Sequence, residues 1–429
     1  MYRVNSPRAY VAPQVWDDPR SAPRAQALLA ACGNPPVVEL TREAIPDIVA
    51  DNPWAGVPAR TVQLPPGGQP TLILNNYRFD VDRAHIDAVL ARCPKGTTRG
   101  LVERLVGYWH FHHWSSSIRN GEQVCRRGYE WNPIWGCLHR CTYCSYGGSP
   151  VLALTLNVEE MFERHIAPTI EANPHLTVWR YEMASSDSLS VEPEYGAVKA
   201  YVEHFAAQPN AWFLIHTKSA NVDHLLDLDH RGHTIIVWSL TSHTVSRHIE
   251  QDAATTEERI EAARKCQQAG YTVRIKYKPI VPVANWRAEC RDMTNRLLDV
   301  VQPDVISLCT LMWMKLPELH ALYPPGTLDP AFVQAAHDHE ATMCDGPASP
   351  FPDDVRAEIY QFCIDAIRAR TTTVPVSLCT ETLDMWQRFG PQLGYGPRDY
   401  PCGCGSRCVP GTARLAEPEV LAGIDTPKS

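Results

Sequence analysis

From about Gly128 onward the chain alternates short β-rich apolar runs with amphipathic helical stretches, and that alternation restricts its fold more than any other feature. Candidate strands run over Thr177–Met183, Trp212–Lys218, His233–Leu240, Tyr271–Ile280 and Asp304–Leu311, with one more before Cys137. Strands separated by helices pair in parallel, because a parallel neighbour needs a crossover that returns the chain to the same end of the sheet. One such helix is marked at both ends. Thr255 and Glu258 have capping-box spacing, Ile260, Ala263 and Cys266 recur on one face, and Gly270 stands at the stop. Another, over Pro352 to Arg370, places Val355, Ile359, Phe362 and Ile367 on one stripe. Six strands with intervening helices predict an α/β fold of the partial (β/α)6 TIM-barrel type, in which ligands sit at the C-terminal ends of the strands.

The flanks differ from this repeat. Residues 1–115 mix helix and strand signals around punctuation such as Leu64-Pro65-Pro66-Gly67-Gly68, and predict a small N-terminal α/β domain. The barrel is expected over 116–385 and a Cys-rich C-terminal extension over 386–429, ending in a loose tail from about Glu417. Tyr323 to Pro352, rich in Pro, Asp and Ala, reads as an irregular excursion.

Composition narrows the function classes. With 44% hydrophobic and 21% charged residues the chain has the make-up of a folded globular protein. Its net charge of −8 offers no long-range attraction to a phosphate backbone, so duplex DNA as a partner finds no support in charge. No apolar run approaches the ~18 residues of a membrane span, and the first ten residues lack a signal-peptide pattern, which predicts a cytoplasmic protein. Fifteen cysteines in such a chain point to metal ligation or catalysis rather than disulfides.

Their spacing sharpens the point. Cys137, Cys141 and Cys144 lie within eight residues of an expected loop. Thiolates are the usual ligands of iron–sulfur clusters, and three of them on a 4Fe-4S cluster leave one iron open to a chelating cofactor. A zinc knot would need a fourth ligand nearby, for which His139 is the only local candidate.

The CxxxCxxC spacing, with Tyr143 just before the last cysteine, resembles the signature of the radical S-adenosylmethionine (SAM) superfamily. Within it the chain resembles the spore photoproduct lyase family along most of its length. Tyr181, Glu182, Ser186 and Asp187 at a strand end look like that family's Glu…Ser-Asp segment. His216, Thr217, Lys218 and Ser219 resemble its Thr-Lys-Ser motif, and Trp238-Ser239-Leu240 its Trp-Ser-Leu. The resemblance implies a 4Fe-4S cluster and SAM as cofactors. It also implies Glu182, Ser186, Asp187, Lys218 and Ser239 as cofactor-binding residues, with Lys218 opposite the methionyl carboxylate. The expected reaction is reductive cleavage of SAM and hydrogen abstraction from a nucleobase, nucleoside or DNA photoproduct. An electron donor such as a flavodoxin or ferredoxin would serve it.

Two departures bear on how such a reaction ends. Ala184 stands where the family keeps a hydrogen-donating cysteine, and Ser145 where it keeps a tyrosine, with Tyr146 one residue on. Tyr143, Tyr146 and Cys309 are candidates to return a hydrogen; alternatively the reaction ends by oxidation or by returning the hydrogen to 5′-deoxyadenosine. A biosynthetic enzyme acting on a metabolite or peptide, and a non-enzymatic iron–sulfur or zinc sensor, are the competing readings. A second site is expected where Cys402, Cys404 and Cys408, spaced by Gly403 and Gly405, meet Cys379 after a strand over Val374–Leu378. Four thiols there would hold an iron–sulfur cluster or zinc, or simply pack. The stretch from Tyr108 to Trp114 reads as a buried amphipathic segment.

Overall fold

The structure is a computed structural model that describes residues 1–52, 64, 67–109, 112–114, 118–119, 123–125, 128–182, 185–312, 314–340 and 349–411, the side chains of 112–114, 118–119 and 123 excepted. Seven strands line up in parallel in chain order: β1 (Gly128–Trp131), β2 (Val178–Tyr181), β3 (Trp212–Thr217), β4 (Thr234–Leu240), β5 (Thr272–Ile280), β6 (Ile306–Thr310) and β7 (Val376–Leu378). The six strands expected in the repeat are present, the strand expected before Cys379 joins them as β7, and His112–Trp114 closes the edge antiparallel to β1. Sequential order with helical crossovers rolls the sheet into a half-barrel, as the alternation required.

The two faces of this sheet are chemically opposite. Trp131, Tyr181 and Phe213 stand on the outer face, where Trp131 stacks on Phe205 of the helix Ala197–Ala206 with centroids 6.0 Å apart and planes 4° from parallel. Each such ring contributes about 1.5–3 kcal/mol by leaving water. The inner face carries Arg180, His216, Arg274, Lys276, Lys278, Ser307, Cys309 and Ser377, polar or charged groups that alternate with the outer apolar ones as a strand's period of two demands. The helix Thr256–Gln268 begins with the expected reciprocal cap between Thr255 and Glu258, and Gly270 follows it at φ 94°.

A smaller sheet packs beside the barrel mouth. Val37–Glu39, Ala9–Val11, Thr71–Asn75 and Val151–Thr155 are parallel, and Ile134–Trp135 joins antiparallel. The boundary expected at 115 therefore does not divide the sheets, because the N-terminal strands complete their hydrogen bonding with residues 134–155. One further expectation changes. The excursion after Tyr323 contains a regular helix, Pro330–His339, started by the Asp329 side chain accepting from Ala331 N (3.0 Å) with Pro330 in the first turn. Residues 402–408 of the expected cysteine-rich C-terminal extension lie against the inner face, at the end where the strands begin. The expected tail from Glu417 lies outside the described residues.

Candidate active site

The loop bearing Cys137, Cys141 and Cys144 is slung between Ile134–Trp135 and Val151–Thr155 and crosses the mouth of the half-barrel. It is tightly folded. Gly136 has φ 97°, and a Cβ there would stand 1.9 Å from the Val151 carbonyl oxygen, while one on Gly147 would stand 2.7 Å from that of Cys141. Only glycine fits either place. Arg140–Cys141 forms a two-residue antiparallel ladder with Glu250–Gln251, and Cys144 N donates to Cys141 O (3.0 Å). All three thiols line one cavity of about 280 Å³ together with Glu182, Ser186, Asp187, Lys218 and Ser239. Every candidate cofactor contact thus meets the cysteine loop in a single space.

Glu250, which sequence reasoning missed, organises this space. Its Oε2 lies 2.6 Å from Arg259 Nη2 in an ion pair and accepts from Thr241 Oγ1 (2.8 Å), and its Oε1 lies 3.3 Å from Lys218 Nζ and accepts from the Tyr143 hydroxyl. Burial alone would raise its pKa, but Arg259 and Lys218 outweigh it and hold the carboxyl at about 2. Glu250 lies 109 residues beyond Cys141 and belongs to no motif; only the two-residue ladder brings them side by side.

The strand-end residues divide into committed and open groups. Asp187 is committed: it accepts from Thr217 Oγ1 (2.9 Å) and Lys218 N (2.6 Å), and its Oδ2 lies 3.1 Å from His139 Nε2. Burial opposes its ionisation, yet His139 and these donors hold it below the ordinary carboxylate range. Asp187 therefore fastens the cysteine loop to the end of β3. His139, the one local candidate for a fourth zinc ligand, spends its other ring nitrogen near Asp252 O (3.0 Å) and serves as that fastener instead. Glu182, at φ 50°, accepts from Ile134 N (2.7 Å) and Ser185 Oγ (3.0 Å), and burial lifts its pKa to about 8. Lys218 Nζ also donates to Lys278 O (3.0 Å).

Two polar atoms on the cavity wall have no protein partner among the described residues: Ser186 Oγ and His216 Nε2. Burial and the nearby Lys276, Lys278 and Lys218 keep His216 neutral, far below its ordinary pKa. Unpaired buried polar atoms are costly, and a bound polar molecule would relieve them. Three thiols on one loop, an ammonium and two orphaned polar atoms around one cavity fit a cluster with a chelating cofactor. Tyr143, Tyr146 and Cys309 also line this cavity. The Tyr143 hydroxyl is taken by Glu250, Tyr146 sets its ring against Trp135, and Cys309 touches Cys379 and Thr380 Oγ1 (3.3 Å). Position 184 lies outside the described residues. Of the Tyr108–Trp114 stretch, Trp109 is buried and donates to Thr155 Oγ1 (3.1 Å), and the side chains beyond it lie outside the described residues.

A parallel half-barrel with a three-cysteine loop over the carboxyl ends of its strands is the architecture of the radical SAM type. Residues 129–313 match a family model described as spore photoproduct lyase. Spore photoproduct lyase of Clostridium acetobutylicum is 27% identical over 183 residues, 41% of this chain and 54% of the relative. That of Bacillus subtilis is 30% identical over 175 residues, 40% and 51%. The chain spans about half the length of the curated relatives it matches. A solved spore photoproduct lyase double mutant with bound AdoMet and dinucleoside spore photoproduct has the same fold, with a TM-score of 0.59 and 17% identity over 87% of this chain and 98% of that one. Over residues 129–313 the chain is thus similar in sequence to the spore photoproduct lyases, and along most of its length it shares their fold.

Proposed function

We propose that this chain is a radical SAM enzyme in which Cys137, Cys141 and Cys144 hold a 4Fe-4S cluster and the cavity beside them binds SAM. One observation carries the reading: the three loop thiols share a single cavity with Lys218, Ser186 and Ser239 at the ends of successive strands. When bound, the pair supplies a carbon radical by one-electron cleavage of the cofactor. The protein's part is placement. Lys218, already aimed by Glu250 and Lys278 O, meets the methionyl carboxylate as a charge-assisted pair. Ser186 Oγ and His216 Nε2 supply hydrogen bonds that the protein leaves unmade.

The substrate is a nucleobase-type lesion, by likeness to relatives named for spore photoproduct, and a flavodoxin or ferredoxin class donor supplies the electron. The wall of Tyr146, Cys309, Thr310 and Met312 is where the reacting base would lie. The test uses anaerobically reconstituted protein with SAM and dithionite, with and without dinucleoside spore photoproduct. Cysteine-loop chemistry predicts 5′-deoxyadenosine from wild type and none from Cys141→Ala, with consumption of the lesion. Cleavage of SAM with the lesion left intact would replace the substrate by another metabolite. A full cluster with no cleavage under either condition would sink the enzymatic reading in favour of a sensor.

Lys218→Ala should weaken SAM binding by about 10- to 100-fold, the size of a charge-assisted bond of about 1.5–3 kcal/mol, read by equilibrium dialysis with labelled SAM. Unchanged affinity would remove Lys218 from the site.

A further inference from the structure

We infer that the floor of the half-barrel is a second metal–thiolate site: Cys402, Cys404 and Cys408, with Cys379 as fourth ligand, hold an iron–sulfur cluster against the cationic inner face of the sheet.

The segment 402–408 is locked inside the barrel by its backbone. Cys404 O accepts from Arg180 Nε (2.6 Å), Cys408 O from Arg274 (2.5 Å), and Ser406 O from the backbone of Thr177 (2.7 Å) and Val178 (2.9 Å). Gly403 N donates to Ser307 Oγ (3.3 Å), and a Cβ on Gly403 would stand 3.1 Å from Lys276 Cε and 3.2 Å from Ser307 Oγ, so the loop is pressed onto the strands as closely as a backbone can be. The carbonyls are spent on the sheet and the sulfurs are left inside. Cys402, Cys404 and Cys408 are all buried, Cys402 and Cys404 touch, and Cys408 Sγ lies 3.4 Å from Cys402 N.

Charge supplies the second, independent observation. Lys276 is 1% exposed and no carboxylate pairs with it among the described residues. Its ammonium donates to Cys404 Sγ at 3.1 Å, and the other sulfurs around it belong to Cys379 and Cys402. Arg180 and Lys278 stand on the same inner face, Lys278 Nζ 3.9 Å from Cys379 Sγ. Buried cations are tolerated only against an anion. The sulfurs grouped round Lys276 can supply it as thiolates, and a metal centre is what holds several thiolates together. Among the described residues no three His, Cys, Asp or Glu side chains close round the position of a single ion. A four-iron cluster takes one thiolate at each iron and spreads its ligands more widely, and four cysteines is its usual complement.

This inference does not rest on the reading of the upper cavity, and its test separates the two. In the full chain, Cys137→Ala, Cys141→Ala and Cys144→Ala together remove the loop ligands and leave the floor intact. After anaerobic reconstitution that triple variant should keep about four irons and four sulfides, against about eight of each in wild type. Its Mössbauer spectrum should be that of a four-iron cluster, and SAM should leave it unchanged. Cys402→Ser with Cys404→Ser should lose these irons and keep the SAM-sensitive ones. Lys276→Gln in the triple-variant background should lower the cluster's reduction potential, because a positive charge beside it has been removed. A folded triple variant that holds no iron, or a single zinc, overturns the proposal.

Discussion

Two buried glutamates, Glu182 on the wall of the cavity and Glu250 behind Tyr143 and Lys218, are held in opposite ionisation states. Glu250 stays an anion down to about pH 2 because Arg259 and Lys218 outweigh its burial, and Glu182 holds its proton up to about pH 8 because burial prevails there. The signs of their contributions to stability differ accordingly. Glu250 has a folded pKa below the unfolded value of ~4.3, so its contribution is present above that pH and lost as pH falls towards about 2. Glu250→Gln should cost about 3–5 kcal/mol at neutral pH by leaving Arg259 buried and unpaired. In urea unfolding the gap to wild type should shrink between pH 5 and pH 3; a constant gap would mean Glu250 acts through packing. Glu182 has a raised folded pKa, so its contribution is present below ~4.3 and is lost as pH rises through about 8. Thermal melts of Glu182→Gln should therefore gain on wild type from pH 5 to pH 9.

At the scale of elements, what was legible follows from how far along the chain each cause lies. The helix after Thr255 was readable because its cap, its apolar face and its stop sit within sixteen residues. The strands were readable because apolar runs of the right length recur, and the cysteine loop because three thiols crowd one segment. Glu250 was not readable, since its meaning depends on a two-residue ladder to Cys141. The placement of 402–408 was not readable either: it depends on inner-face arginines hydrogen-bonding backbone carbonyls, which leave no mark in the loop's own sequence. Arg274 shows how much rests on those bonds, joining Asp304 (2.7 Å) to the carbonyls of Cys408 and Gly403. Arg274→Ala should destabilise by about 2–4 kcal/mol, since charge-assisted bonds contribute about 1.5–3 kcal/mol each and the orphaned acceptors add a penalty. A denaturation midpoint within error of wild type would show the loop to be held mainly by its other contacts. On the outer face Phe213→Ala, removing a ring from the Trp131 stack, should cost about 3–5 kcal/mol in the same assay.

Over the whole molecule, the stretch 128–155 gives Gly128–Trp131 to the half-barrel and Ile134–Trp135 and Val151–Thr155 to the smaller sheet, so one short run of chain joins the two. The loop of three cysteines crosses between them, tied by His139 to β3 and by Cys141 to Glu250. These two ties fix the loop to elements of the barrel, as the placing of a site on rigid elements requires. The inner face of the barrel meanwhile closes with residues 402–408, which follow every strand they cover. On the ribosome, then, the last thing the half-barrel receives is its inside. A nascent chain that stops short of Cys402 has every described strand and helix but offers Arg180, Arg274 and Lys276 to water, and quality-control proteases would meet it as an open trough. Only when residues 402–408 emerge can that trough be stoppered from within.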